Sequence, residues 1–173
     1  MANLKEIRNR IASVSSTMQI TSAMKMVSAA KLKKAQDAIT AMRPYANKLT
    51  NLIQNLSSAD PGDQKNPYTQ LRPIQKVLLV VITSNRGLCG GFNANIIKAA
   101  LQQTKEKYAE ATVEVITIGK KGDDILSKSL TVIENHNTLL ETVGYAETAE
   151  VAQKIMDDFA TENYDKVVLI YNQ

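Results

Sequence analysis

The residues best placed to do chemistry lie in one ten-residue stretch, Ser84 to Asn93, reading SNRGLCGGFN. Three glycines between an apolar run and a helical pattern could set backbone amides around a phosphate. The spacing does not follow through. The stretch lacks the Gly-x-x-x-x-Gly-Lys-Ser/Thr of a P-loop and the Gly-x-Gly-x-x-Gly of a dinucleotide site, so a structural turn is the plainer reading. Cys89 could serve as a nucleophile if a base or a helix start ionised its thiol. The one histidine, His136, sits in the polar run ENHNT and is expected at the surface, so a Cys–His pair is not expected. A metal centre is not expected either, for want of clustered Cys and His. Asp123 and Asp124 are neighbours, and neighbours on a helix face different ways, which argues against a catalytic carboxylate pair. The sequence thus points to no catalytic residue, metal or cofactor. A small α/β enzyme binding nucleotide or phosphate through the Gly-rich loop stands as the alternative.

The elements flanking that stretch alternate. Lys76–Thr83 (KVLLVVIT) reads as a buried strand, and 94–109 as a helix turning Ile97, Ala100, Leu101 and Tyr108 to a core. Thr112–Ile118 reads as a second strand, 123–127 as a helical turn and 130–133 as a short strand. Residues 146–159 read as a helix with Ala149, Ala152, Ile155, Met156 and Phe159 on one side, and 166–171 (KVVLIY) as a last strand. Strands alternating with helices predict right-handed crossovers and a mainly parallel, Rossmann-like sheet.

Ahead of this body the texture is different. Steps of three and four from residue 4 to residue 56 give Leu4, Ile7, Ile11, Val14, Met18, Thr21, Lys25, Ser28, Leu32, Ala35, Ile39, Met42, Ala46, Leu49, Ile53 and Leu56. Only Thr21, Lys25 and Ser28 are polar, and no glycine intervenes. Sustained heptads of this kind predict a coiled-coil helix. At ~1.5 Å per residue it would be a rod of roughly 80 Å, too long for a body whose radius of gyration is ~13 Å to cover. Its ridge therefore requires another helix. Pro44 keeps the phase from Met42 to Ala46, which predicts a bend and not a break. Around the polar seam positions the apolar residues shift to other faces, as Met24, Met26 and Val27, which suits a rod passing through a close-fitting sleeve.

Charge is divided along the same line. The net +4 splits into +7 on residues 1–56 and −3 on the rest, and a basic arm suggests an acidic partner. Lys31, Lys33, Lys34, Arg43 and Lys48 could meet nucleic-acid phosphates, but Tyr45 is the only aromatic in the segment, and stacking has no platform. A solvated face is the simpler account, and no nucleic acid is expected. The lone cysteine suits a reducing compartment. No apolar run reaches the ~18 residues of a membrane span, and the amino terminus lacks the apolar core of a signal peptide.

The opening LKEIRNRIASVSSTMQITSAMKMVSAAKLKKAQ, the triplet Arg43-Pro44-Tyr45 and the loop SNRGLCGGFN closely resemble the gamma subunit family of F-type ATP synthases, over nearly all 173 residues. The chain departs from that family in lacking the long carboxy-terminal helix that should pair antiparallel with the first. It is therefore read as an amino-terminal part: a long helix at 1–56, half of an antiparallel coiled coil; a linker loop at 57–75; and an α/β domain at 76–173, incomplete at its carboxy end. The resemblance implies a non-catalytic central shaft that couples proton-driven rotation to ATP synthesis or hydrolysis in partner subunits. It further implies contacts with the alpha and beta subunits through Met24, Lys25, Val27, Arg86 and Cys89. The coiled-coil seam would be Leu4, Ile7, Ile11, Val14, Met18, Leu32, Ile39, Met42, Leu49 and Ile53. The epsilon subunit and the ring of c subunits would meet the body. The expected setting is peripheral, on the cytoplasmic face of a bacterial inner membrane, without direct membrane insertion.

Overall fold

The computed structural model describes residues 3–59, 66–141 and 143–172. The chain divides into two compact units, residues 1–62 and 63–173.

The first unit is a single helix, α1 (Leu4–Ala59), of 56 residues. Asn3 starts it: its side-chain oxygen accepts the Lys5 amide at 3.2 Å and its carbonyl accepts the Glu6 amide at 2.8 Å. Such a cap satisfies donors that the first turn leaves without helical partners. Glu6 adds a negative charge at the positive end of the helix dipole. Pro44 lies inside the helix, which runs on unbroken past it. A proline there costs ~3 kcal/mol, so the glycine-free turns on either side outweigh one missing bond. Thr17, Thr21 and Thr50 return their hydroxyls to carbonyls four residues back. Every described residue through Leu56 is exposed.

The second unit is an α/β sheet. Four parallel strands, β1 (Lys76–Ile82), β2 (Thr112–Ile118), β3 (Thr131–Asn135) and β4 (Lys166–Ile170), lie in the order β3-β2-β1-β4. The crossovers carry α2 (Phe92–Gln102), α3 (Lys120–Leu126) and α4 (Tyr145–Ala160). The chain steps outward from β1 to β3, then returns to the far side of β1 for β4. β1 is the central strand, and its KVLLVVI run is buried because both faces are covered. On one face Val77, Leu79 and Val81 pack with Val115, Ile170, Leu126, Tyr108 and the Ile96, Ile97 and Ala100 side of α2. On the other, Leu78, Val80, Ile116 and Tyr164 form a smaller cluster flanked by Ile155 and Val167.

Several elements differ from expectation. α2 begins two residues early and ends in a π-helical turn, Gln103–Lys107, that lets Tyr108 drop into the core. Ile96 is buried beside the expected Ile97 and Ala100, and Leu101 is only partly covered. On α4 the expected face is half right. Ala149, Ile155 and Phe159 are partly covered, whereas Ala152 and Met156 are exposed. The second cluster is small, so a sixteen-residue helix has little apolar surface to lie on. A 3-10 turn, Pro67–Thr69, falls within the expected linker at 57–75, whose residues 60–65 lie outside the described set.

Candidate functional site

In an open parallel sheet, ligands settle outside the carboxyl ends of the strands, where strand order reverses. Here that point is between β1 and β4, and the Gly-rich loop, Ser84–Gly91, leaves β1 directly above it. The loop is closed on itself by Asn93, which is buried at 8% exposure. Its Oδ1 accepts the Ser84 amide at 3.0 Å, and its Nδ2 donates to Ser84 Oγ at 2.9 Å and to the Arg86 carbonyl at 3.3 Å. The same Nδ2 lies 3.2 Å from Cys89 Sγ. Ser84 Oγ donates to the Arg86 carbonyl at 2.6 Å. Asn172, just past β4, donates to the Phe92 carbonyl at 2.9 Å, so the two sides of the crevice are tied together.

The base of the loop is fixed to the next two strand ends. Asn85 donates to the Asn137 carbonyl at 2.9 Å and accepts the Lys120 amide at 2.9 Å. Thr83, nearly fully buried, donates to the Gly119 carbonyl at 3.2 Å and accepts the Gly122 amide at 2.8 Å. Position 119 admits only glycine. Its φ is +106°, and a Cβ would stand inside the contact distance of the Thr83 carbonyl. The polar side chains of Thr83, Asn85 and Asn93 are thus spent on the protein's own backbone.

Arg86 and Cys89 are brought together in this loop, both exposed and both touching Asn93. Leu88 stands between them with its side chain wholly exposed and its backbone at φ +59°. A left-handed conformation is uncommon for a bulky residue and costs on the order of 1–3 kcal/mol. The sequence reading passes over Leu88, Asn85 and Asn93. The available signal is an asparagine two residues into a helix that follows Gly-Gly, the place from which a short amide reaches back to a turn.

His136 is not the free surface residue expected. It is half-buried, with Nε2 3.0 Å from Glu134, which also pairs with Lys154. The Lys154 bond, more than His136, holds the Glu134 carboxyl below the usual carboxylate range. Cys89 and His136 therefore have separate partners. Asp123 and Asp124 diverge: Asp123 accepts from Thr117 at 3.3 Å, and Asp124 pairs with Lys121 at 3.5 Å. No group of His, Cys, Asp and Glu that could hold a metal ion occurs among the described residues. At the opposite end of the sheet the Tyr164 hydroxyl donates to Glu114 at 2.6 Å, and Lys76 pairs with the same carboxylate at 3.0 Å. Burial and that bond raise the Tyr164 pKa, and the tyrosine bond first, then Lys76, lowers that of Glu114.

Met24, Lys25 and Val27 belong to the other unit, within one turn of α1. Lys25 closes the end of a shallow strip lined by Val14, Thr17, Met18 and Thr21. Met24 is 65% and Val27 57% exposed. No described helix is long and apolar enough to cross a membrane.

A family model described as ATP synthase matches residues 3–173. The chain is 60% identical over 173 residues to the ATP synthase gamma chain of Flavobacterium psychrophilum and 60% identical to that of Flavobacterium johnsoniae. To the gamma chain of Geobacter metallireducens it is 47% identical. These alignments take in 99–100% of this chain and 60% of each relative, so the chain spans about three fifths of their length.

Proposed function

The chain belongs to the ATP synthase gamma-chain family, and from that premise we propose that it forms part of the central shaft of an F-type ATP synthase, with no active site of its own. The observation that carries the reading is α1: a glycine-free helix of 56 residues whose apolar ridge is exposed from end to end. A helix with that much exposed apolar surface is built for assembly. The ridge from Leu4 to Ile53 would grip an antiparallel helix, making residues 1–56 one half of a coiled coil, with the α/β domain at 76–173 as its head.

In this reading Met24, Lys25, Val27, Arg86 and Cys89 meet the alpha and beta subunits, and the head meets the epsilon subunit and the c ring. The position is peripheral, on the cytoplasmic face of a bacterial inner membrane. The chemistry suits a turning part. Apolar contacts such as Met24 and Val27 are non-directional, so sliding them past a sleeve breaks no hydrogen bond. Lys25 supplies one long-reach attraction to acidic groups at each stop, and rotation driven by protons is thereby coupled to ATP synthesis or hydrolysis in the partners. The commitment of Asn85 and Asn93 to holding the loop disfavours the nucleotide-binding enzyme.

The test uses the intact chain assembled with alpha and beta subunits. Cys89 is oxidised to a cysteine introduced in an acidic segment of the beta subunit. ATP hydrolysis should stop on oxidation and return on reduction. Full hydrolysis by the cross-linked complex would remove the shaft reading. Specific nucleotide binding by the chain alone, in equilibrium dialysis, would favour the enzyme.

A further inference from the structure

We infer that a hollow at the amino ends of β2 and β3 binds a small amphiphilic carboxylate, its charged end on Lys128 and the Tyr108 hydroxyl and its apolar tail on the sheet. The site is independent of the shaft reading and lies at the end of the sheet opposite the Gly-rich loop. The hollow, of about 430 Å³, falls within the size range of small-molecule sites. It opens between the π-helical turn Gln103–Lys107 and the connection from α3 to β3. Tyr108 lacks a partner that its position demands. It helps to line the hollow, it is only 3% exposed, and its hydroxyl has no hydrogen-bond partner. Gln103 Oε1, from the same turn, is buried and unpartnered too. A buried polar group left unpaired costs its full desolvation, and phenylalanine would fill the same space without that cost. The backbone is widened to hold the residue there, since the Tyr108 amide reaches five residues back to the Gln103 carbonyl at 3.0 Å. Turns of this kind gather at functional sites. A hydroxyl kept on these terms is a donor awaiting an acceptor, and the hollow it lines is where one can arrive.

The walls specify the acceptor. Among the described residues Lys128 is the only charged one that lines the hollow, and it is exposed and forms no ion pair with them. Lys107 stands with its ammonium 5.6 Å from the centre of the Tyr108 ring, and Glu106, the acid of the turn, is occupied by Gln102 at 2.8 Å. The local field is thus positive, which suits an anion. Ala111, Val113 and Leu130 also line the hollow and pack against the main core, so an apolar floor lies beside the cation. One ammonium and one phenol match the two oxygens of a carboxylate, and the floor takes a short hydrocarbon tail.

The probe is octanoate, titrated into the full chain by calorimetry, with octanol and inorganic phosphate as controls. Octanoate should bind saturably at one site, and octanol should bind far more weakly. Tyr108→Phe should keep or raise the thermal midpoint, because it removes an unpaired hydroxyl, yet weaken octanoate about tenfold. Lys128→Gln should weaken it by a similar factor and lessen its dependence on salt. A lower midpoint for Tyr108→Phe without ligand would show the hydroxyl already satisfied and overturn the site. Equal affinity for octanol would reduce the hollow to apolar surface, and competition by phosphate would mark a phosphate site; either result overturns the carboxylate. No octanoate binding, or binding unchanged in both variants, would overturn the assignment outright.

Discussion

The two units solve the problem of apolar surface in opposite ways. The sheet buries its own: Val77, Leu78, Leu79 and Val81 have no exposure at all, because helices lie on both faces of β1. No residue of α1 through Leu56 is buried, and Ile7 and Leu49, among the least exposed of its large apolar residues, are still 44% open. Both carry comparable hydrophobic side chains, so composition does not make the difference. Periodicity does. An unbroken apolar run in a parallel strand is covered by its neighbours in the same chain, whereas a ridge repeating every 3.5 residues over 53 positions has an extent that only another long helix matches. Stability of the first is a property of the unit, and on the proposed shaft reading stability of the second belongs to an assembly.

The sharpest way to break that contrast is to make the same cut in both. Leu79→Ala removes a fully buried side chain from the middle of β1 and should cost about 3–5 kcal/mol in denaturant unfolding of the sheet. Leu32→Ala in α1, at 59% exposure, should change the stability of the free chain by no more than about 0.5 kcal/mol. Upon assembly with a partner helix the second loss should grow severalfold, since a socket then surrounds the residue. Equal losses in the free chain would mean that α1 already packs on something of its own.

What could be read from the sequence follows the same division. The strands are legible because β-branched runs such as VLLVVI and VEVITI admit few other homes, and α1 because a repeat kept in phase over sixteen positions is hard to mistake. The α4 face departs from expectation at Ala152 and Met156 because a helical period says which residues align, not how wide a surface awaits them. The loop was harder still. Its glycines were visible, but the asparagines that fix it act across 9 and 52 residues of sequence, and such pairings leave no local pattern. The polar neighbours of His136 predict an exposed ring, while the strand geometry of β3 turns Glu134 toward it.

A smaller but still decisive effect is expected where β1 and β2 end together. Gly119→Ala forces a left-handed residue against the Thr83 carbonyl and should cost about 2–3 kcal/mol. Because Thr83 leads directly into Ser84, the same change should loosen the loop, seen as faster reaction of Cys89 with a thiol reagent. No glycine occurs in α1, so that helix should keep its circular dichroism when the sheet is weakened in this way. Concerted loss of both signals would show that the two units unfold as one.

The gentlest probe is acid. Three carboxylates in the sheet unit titrate below their ordinary range: Glu114, chiefly through the Tyr164 hydroxyl; Glu134, chiefly through Lys154; and Asp165, through the backbone amides of Lys76 and Gln75, both at 2.8 Å. A carboxyl whose folded pKa lies below its unfolded one binds fewer protons in the folded state, so it adds stability that is complete above the unfolded value. Those ordinary values are 4.5 for the glutamates and 3.8 for Asp165. The contribution should shrink as pH falls beneath them and vanish once pH passes below the lowered values. Near neutrality the sheet should therefore show a flat profile, with the decline confined to the acid side. All three groups keep contact with water, so each share is modest. Glu114→Gln should flatten part of the decline while preserving a bond from Tyr164. A profile that falls between pH 6 and 8 instead would place the controlling group outside these three carboxylates.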